Sequence, residues 1–256
     1  MKKLIPVLAL AVLFTACKKE TVAPVNPPAN SEKNLVKSQW IPNTGTPETE
    51  EYTYDNTGRV TRISYIIDDT YEVFEYPGNA LVKSTNRAIS NDFLINTTEA
   101  QMDAAGRIVS SVTKDRLGNE TGRTEYTYNA EGYLVTQKGI SPAFGYSYEF
   151  NIVNGVLVSS KYYNGNGVLQ TTTEFTTDLS KPNKGQSLHG GRWLVKKLFG
   201  NVCKGLITES KTFNTAGTLT WHVKTTWETD AEGYPVKRKV ENLTNGRIID
   251  ITDTYQ

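Results

Sequence analysis

Apolar and polar residues alternate along most of the chain in short runs, and turn-forming residues separate the runs. Side chains two positions apart are similar in polarity in residues 60–67, VTRISYII, and around Tyr52 and Tyr54. Such side chains lie on the same face of a strand, so the period of two predicts strands. Abundant Thr, Tyr, Val and Ile favour strand as well. Residues 192–199, RWLVKKLF, have some helical character, and strand is favoured there over helix. Counting the runs predicts roughly 14 to 16 short strands.

One phrase recurs between the runs: an acid or amide, two spacer residues, a glycine and then an apolar residue. In residues 52–60, YTYDNTGRV, Asp55 can accept a hydrogen bond from the backbone two residues further on, which favours the first position of a type I turn. Gly58 follows where the chain needs a positive φ, and the combination closes a short β-hairpin. The pairs predicted to form such turns are Asp55 with Gly58, Asp103 with Gly106, Asn129 with Gly132, Asn164 with Gly167, Asn214 with Gly217, and Asp230 with Gly233.

These strands and turns predict the fold class. Because consecutive strands tend to pair, we expect an all-β protein, an antiparallel meander of roughly 14–16 short strands forming a strongly bent sheet or barrel-like roll. Barrel and open sheet remain alternatives, although closure would remove edges that can pair with other chains. The runs are shorter than the about ten-residue strands of an outer-membrane barrel, and polar residues fall on both faces. The pattern therefore favours a soluble roll.

Residues 122–134 read GRTEYTYNAEGYL. They resemble the YD repeat of Rhs-type proteins, in which glycine is followed by Y-x-Y-D-x-x-G and an apolar residue. Degenerate repeats of this kind also occur in uncharacterised lipoproteins of Gram-negative bacteria, some of them with a porin-like fold of unknown function. The resemblance implies a structural role for the motif residues. Unit spacing is irregular and a toxin-enclosing shell needs many more repeats, so the resemblance does not extend to the Rhs toxin function.

The first residues are typical of an exported bacterial lipoprotein. Lys2 and Lys3 precede an apolar run at residues 4–16, which is long enough for a signal-peptide core but shorter than the about 20 residues that span a bilayer. The run ends in LFTAC, which resembles a lipobox and implies that Cys17 is lipidated. We therefore expect a signal peptide at 1–16, a lipidated cysteine and flexible tether at 17–37, and a single all-β YD-repeat-like domain at 38–256. The expected location is the cell envelope, lipid-anchored to the outer membrane, with the leaflet left open.

Charge and cysteine content narrow the function classes. Lys and Arg number 28 against 27 Asp and Glu, and without a basic excess we expect no nucleic-acid partner. Cys17 and Cys203 are the only cysteines, so lipidation of Cys17 leaves Cys203 without a disulfide partner in the chain. The apolar neighbours Leu206 and Ile207 predict that the Cys203 thiol is buried.

Few groups suited to catalysis are present. His189 and His222 are the only histidines, and the sequence contains no zinc-protease, serine-elbow or phosphate-loop motif. The adjacent Asp68 and Asp69 precede a turn and would face opposite ways on a strand. Each D-x-x-G turn supplies one carboxylate, whereas calcium takes six to eight oxygen ligands. We therefore expect no catalytic residue, no metal and no cofactor, and the protein is predicted not to be an enzyme.

Tryptophans are the candidate ligand-binding residues. Trp221 and Trp227 are six positions apart and share a strand face, and with Trp193 they form a candidate platform for a sugar or peptide. The alternative is that these rings fill the inner face of the sheet.

The predicted function is a non-catalytic binding or scaffold module, held to the membrane by its lipid anchor. Its candidate partners are a glycan, a peptide or an outer-membrane protein. Two alternatives stay open. One is a glycan-active enzyme with carboxylates from distant strands. The other is an accessory subunit that docks on an outer-membrane partner through an exposed strand edge.

Overall fold

The computed structural model describes residues 33–142, 144–184 and 198–256, and within these residues every regular element is a β-strand. Sixteen strands pair in chain order, each antiparallel to the next, and β16 pairs with β1 to close a barrel. The all-β antiparallel meander predicted from the sequence is confirmed, and of the two architectures left open the barrel is correct. Closure leaves no free edge among the described strands, so the exposed edge expected for docking on an outer-membrane partner is not found there.

The strands are short and of similar length. Their bounds are β1 Leu35–Pro42, β2 Glu48–Tyr54, β3 Val60–Tyr65, β4 Thr70–Glu75, β5 Leu81–Ala88, β6 Leu94–Met102, β7 Ile108–Asp115, β8 Glu120–Tyr128, β9 Leu134–Ile140, β10 Gly145–Val153, β11 Val156–Asn164, β12 Leu169–Asp178, β13 Leu206–Asn214, β14 Leu219–Thr229, β15 Pro235–Asn242 and β16 Ile248–Tyr255.

The barrel begins earlier in the chain than the sequence predicts. Leu35 is buried and pairs with Tyr255, and Asn34 and Gln256 exchange two backbone hydrogen bonds of 2.7 and 2.9 Å. Residues 35–37 therefore belong to β1 and not to the tether. The boundary at 38 was wrong because the partner strand of β1 lies at the far end of the chain, where a local pattern cannot reveal it.

The strand registers separate an inner face from an outer face. Between β10 and β11, Tyr148 lies opposite Tyr162, whereas the next position places Glu149 opposite Lys161. The first pair points into the barrel and the second points outward. On the inner side, buried apolar residues of different strands, Ile63 among them, pack into one core cluster.

The repeated phrase forms the same hairpin turn at each predicted position. In the first turn, the Gly58 N–H donates to the Asp55 carbonyl oxygen at 3.0 Å, and Asp55 Oδ1 accepts from the Thr57 and Arg59 N–H groups at 2.9 and 3.0 Å. Gly58 has a φ of 80°, which costs a residue with a Cβ about 1–2 kcal/mol. The other five predicted glycines have φ between 74° and 87°: Gly106, Gly132, Gly167, Gly217 and Gly233.

A seventh turn of the same kind escaped the sequence analysis. Asp115 Oδ1 accepts from the Leu117 and Asn119 N–H groups, both at 2.9 Å, and Gly118 has a φ of 86°. In the segment DRLGN the glycine is followed by Asn119 and Glu120, so the apolar residue that completes the phrase is absent.

Successive turns alternate between the two ends of the barrel. The crossover end holds the turns that follow even-numbered strands, the start of β1, the end of β16 and the long β12–β13 connection at residues 179–205. Backbone N–H···O bonds of 2.7 to 2.8 Å join this connection to three other hairpins: Ile108 to Leu198, Asn201 to Gly132, and Lys204 to Gly155. The rim end holds the eight turns that follow odd-numbered strands. The predicted strand at 192–199 is not found in its described part, because Leu198 and Phe199 form a turn.

Exposed apolar side chains are concentrated at the rim end. Every one of its eight turns, with the flanking strand ends, contributes at least one, and we call the set the apolar rim: Ile41, Ile66, Ile67, Ile89, Phe93, Ile95, Leu117, Ile140, Phe144, Val168, Leu219, Trp221 and Leu243. Among the described residues, the other large apolar side chains exposed to this degree are Val153, Val158 and Leu179. These three lie at or near the crossover end.

The outer wall carries a belt of opposite charges. Pairs that lie directly across from one another are Lys37 with Glu51, Lys83 with Glu99, Glu125 with Lys138, Glu149 with Lys161, Glu174 with Lys211, Glu209 with Lys224, Glu228 with Lys237, and Lys239 with Asp250. A lysine or arginine on a lipid-facing wall costs about 2–4 kcal/mol at mid-membrane depth. The belt is the reverse of the apolar band that a lipid-facing barrel wall carries.

Candidate ligand site in the barrel lumen

A cavity of about 180 Å³ lies inside the barrel. Inward-facing residues of β4 to β10 line it, together with Leu198 and Phe199 from the β12–β13 connection. Phe74, Tyr126 and Tyr146 supply aromatic surface. The hydroxyl and amide groups of the lining come from Ser84, Thr98, Ser111, Thr113, Thr124 and Gln137.

The wall around this cavity is uncharged. Along the described strands β5 to β13, the registers point Thr, Ser, Asn, Gln, Tyr and apolar side chains inward and place the lysines, arginines and acids outside. Some inward hydroxyls pair with one another, for example Thr98 with Thr113 at 3.0 Å and Thr173 with Thr212 at 2.9 Å. An ionic ligand would find no opposite charge here, whereas a neutral ligand would find donors and acceptors.

Tyr148 is the centre of an aromatic cluster on the wall of the lumen. Its ring centroid lies 5.8 Å from that of Tyr146, 6.2 Å from Phe150 and 5.1 Å from Tyr162. These distances fall within the range of favourable ring pairs. Burial raises the pKa of Tyr148, so its phenol stays neutral at physiological pH and can donate a hydrogen bond.

Gly139 determines how the Tyr146 ring lies. The two residues are opposite each other in the β9–β10 pair, and a Cβ built on Gly139 would fall 2.8 Å from Tyr146 Oη and nearer still to ring carbons Cε1 and Cζ. The ring therefore covers the space that a side chain at 139 would fill. The ring is also one of the residues that line the cavity.

The crossover end of the cavity is closed by the β12–β13 connection. Leu198 is buried in the main core cluster, and the Phe199 ring packs edge-on against Tyr126 at 5.2 Å between centroids. Asn201 extends the contact across the hairpin turns, since its Nδ2 donates to the Glu131 carbonyl oxygen at 2.6 Å. Among the described residues, none bridges the rim end in this way, so the rim end is the side on which the cavity is not covered by this connection.

Charged side chains inside the barrel lie on β2, β4, β15 and β16: Glu50, Glu72, Arg238 and Asp253. Ser38 Oγ donates to Asp253 Oδ1 at 2.6 Å and accepts from Trp40 Nε1 at 2.9 Å, and Arg238 lies near the second Asp253 oxygen at 3.8 Å. Burial raises the pKa of Asp253, while Arg238 and Ser38 act in the opposite direction. This cluster ties the first strand to the last two and stabilises the closure of the barrel.

The predicted tryptophan platform is not formed as a unit. Trp221 and Trp227 do share the inner face of β14, but Trp227 is only 7% exposed, donates from Nε1 to the Ile207 carbonyl oxygen at 2.8 Å and packs beside Arg238. Trp221 is 46% exposed and belongs to the apolar rim. The two rings lie toward opposite ends of β14, so Trp227 is buried and Trp221 lies at the rim end of the barrel. Trp193 lies outside the described residues, as do Cys17 and His189.

The aromatic cluster on β10 and β11 was missed by sequence reasoning. The signal was available, since YSYEF at residues 146–150 places three rings on one face. Tyrosines two positions apart occur elsewhere in the chain as well, so this group did not stand out.

Other chemistry is limited in the part of the chain that the structure describes. His222 is on the outer wall, with Nε2 2.7 Å from Glu209 Oε1. Cys203 is buried, and burial raises the pKa of its thiol to about 11. No group of three or more His, Cys, Asp or Glu that could hold a metal is found among the described residues. The same residues include no helix that is both long and apolar enough to cross a membrane.

The barrel is similar to two solved bacterial structures. A porin-like protein from Bacteroides uniformis ATCC 8492 superposes with a TM-score of 0.62 at 14% identity, and the match covers 87% of this chain and 98% of that one. A porin-like protein from Bacteroides vulgatus ATCC 8482 gives 0.59 at 13% identity with the same coverage. No family model matches the sequence, and neither does any curated protein. At such low identity the two structures show that the fold is shared.

Proposed function

We propose that the protein is a non-catalytic binding module of the cell envelope whose lumen holds a neutral saccharide. The observation that carries the proposal is the aromatic cluster of Tyr146, Tyr148, Phe150 and Tyr162 within an uncharged wall. Binding sites are typically concave and largely apolar, with a few polar groups that fix the orientation of the ligand. Tyr146 of this cluster lines the cavity together with Phe74, Tyr126 and Phe199. The other three rings of the cluster continue the aromatic wall beyond the cavity.

The chemistry of a sugar matches this wall. A pyranose ring offers apolar C–H faces, which pack on aromatic rings, and a border of hydroxyl groups, which need hydrogen-bond partners. The lumen supplies both kinds of surface, since the Tyr146 ring lines the cavity and Gln137, Thr113 and Thr124 supply amide and hydroxyl groups. A peptide would need partners for its backbone along its length, and the closed barrel has no strand edge to provide them.

The envelope location rests on the N-terminal sequence. The cationic residues, the apolar run and the lipobox-like LFTAC support export and lipidation of Cys17. The charged belt on the outer wall supports attachment through this anchor instead of insertion of the barrel. The porin-like fold of the two similar structures is compatible with this arrangement.

The alternative of a glycan-active enzyme is less well supported. Glycosidases act through two carboxylates that flank the scissile bond. Inside this barrel, Asp253 is held by Ser38 and Arg238, and Glu50 accepts a hydrogen bond from the Tyr52 hydroxyl. No carboxylate is among the described residues that line the aromatic cavity.

Titration calorimetry with a panel of neutral oligosaccharides tests the proposal, and the chain offers a matched pair of variants. Tyr162 and Tyr163 are neighbours on β11, but Tyr162 points into the lumen against Tyr148 while Tyr163 points outward and donates to Glu149 at 2.8 Å. We expect Tyr162→Ala to weaken binding about tenfold, since stacked rings contribute about 1 kcal/mol each beyond their buried area. Tyr163→Ala should bind like the parent. Failure of the whole panel, or equal losses in the two variants, would overturn the proposal.

A further inference from the structure

We propose that the apolar rim rests on an electrically neutral lipid surface, so that the mouth of the barrel faces the lipid headgroups. This inference concerns the outside of the barrel end and does not rest on the saccharide proposed for the lumen. The two ends of the barrel differ in how far they bury the apolar residue of the repeated turn phrase.

The apolar residue that follows the turn glycine is buried at the crossover end and exposed at the rim end. Two residues after the turn glycine, Leu134 at the crossover end is fully buried, whereas Leu219 at the rim end is exposed. Leu134 is covered because the β12–β13 connection crosses the turns of its end. The rim end has no described segment across it, and its apolar side chains remain in water. Exposed apolar side chains gathered at one end mark an interaction site.

The arrangement of the apolar rim fits a lipid surface better than a protein. Its most exposed members, Leu117 at 75% and Phe144 at 67%, are on separate hairpin tips on either side of β8 and β9. Polar turn residues such as Asn, Ser and Gly lie between the apolar ones. Protein interfaces have contiguous, closely packed cores, whereas a fluid lipid surface receives separate protruding side chains independently. Trp221 adds a residue type that is enriched at membrane interfaces.

Charge near the tips indicates the kind of lipid. Arg87 pairs with Asp92 at 3.4 Å, and Arg116 lies over the Phe93 ring, one residue after Asp115. Acids and bases are therefore mixed at this end and form no basic cluster of the kind that attracts anionic lipids. The charged belt of the outer wall limits the depth of contact to the hairpin tips.

The chain outside the described residues is long enough for this orientation. Residues 17–32, fully extended at about 3.3–3.6 Å per residue, span up to roughly 55 Å. The longest strand has 11 residues and rises about 36 Å at roughly 3.3 Å per residue. A lipid on Cys17 can therefore hold the protein at the surface on which the opposite end of the barrel rests.

Vesicle flotation tests the inference with the chain from residue 17 that carries Cys17→Ser, so that no acyl chain contributes. We expect this protein to float with phosphatidylcholine vesicles. The double variant Leu117→Asp, Phe144→Asp should bind the vesicles at least about tenfold more weakly, because each apolar side chain buried in the lipid adds to partitioning. The control is Val153→Asp, Leu179→Asp, whose positions are exposed to 49% and 62% near the crossover end. It should bind like the parent. Thermal unfolding of both variants establishes that they are folded.

Three results would contradict the inference. The first is that the parent chain does not float with the vesicles. The second is an equal loss of binding in the rim variant and in the control. The third is self-association of the parent in lipid-free ultracentrifugation that the rim variant abolishes, since this would assign the apolar rim to a second copy of the chain.

Discussion

Replacing Gly139 by alanine tests whether the Tyr146 ring lies flat on the lumen wall. The added Cβ would meet ring atoms of Tyr146, with Oη at 2.8 Å and two ring carbons closer, so the ring has to leave its position. Forcing extra atoms into a packed site typically costs about 1–3 kcal/mol. Gly139 does not have a positive φ, so the cost arises from the ring contact and not from the backbone.

Gly122→Ala is the matched control. Gly122 also lies on a strand without a positive φ, but the nearest atom to an added Cβ is the Ile140 carbonyl oxygen at an ordinary 3.5 Å. Its replacement should be neutral or stabilise by about 0.4–1 kcal/mol, because alanine reduces the freedom of the unfolded chain.

Equilibrium unfolding in urea, read by tyrosine and tryptophan fluorescence, compares the variants. We expect Gly139→Ala to unfold at clearly lower denaturant than Gly122→Ala. Combining Gly139→Ala with Tyr146→Ala should remove most of the penalty, since the ring that causes it is gone. If the two glycine variants unfold alike, the assignment of the ring to the wall is wrong.

Four further predictions follow from single residues. Gly58→Val should lower the free energy of unfolding, measured in urea, by about 1–2 kcal/mol, and Gly58→Asn should lower it by clearly less. A Cβ added at residue 58 would meet no neighbouring atom, so the cost comes from the left-handed backbone conformation alone. Hydrogen bonds from Arg107 lower the pKa of Asp103. Their contribution to the stability of the fold is therefore present above the ordinary carboxyl pKa of about 3.9 and is lost as pH falls below it. Asp103→Asn should flatten this part of the acid unfolding curve. Trp227→Ala should cost about 3–5 kcal/mol in thermal unfolding and Trp221→Ala much less, as only the former is buried. Cys17→Ser should abolish incorporation of an alkyne fatty acid, and label retained on that variant would exclude Cys17 as the acceptor.

The strands and turns were visible in the sequence because their causes are local. Asp55 and Gly58 specify a turn through contacts within five residues, and the period of two specifies strands. Six such turns and the approximate strand number could therefore be predicted without a structure.

Closure and the inside of the barrel depend on distant residues, and the sequence does not reveal them. Leu35 meets Tyr255, and Leu198 covers the turn before Ile108. Bulges at many hairpins also shift the register, for example between Thr53 and Tyr54, so a count from the turn does not say which side chains point inward. The tryptophan platform failed for another reason: Trp221 and Trp227 share the inner face as predicted, but Trp221 is exposed at one end of β14 and Trp227 is buried near the other.

Thiol labelling along β11 tests most directly whether the lumen is the binding site. Ser160 points inward between Phe150 and Thr173, while its neighbour Ser159 points outward beside Glu174. Each serine is replaced by cysteine in a Cys17→Ser chain, in which Cys203 is buried, and the rate of modification by a small thiol reagent is measured with and without a bound neutral oligosaccharide. Our account predicts that the oligosaccharide slows modification at Ser160→Cys and leaves Ser159→Cys unchanged. Protection at Ser159→Cys, or at neither position when the oligosaccharide is bound, would contradict it.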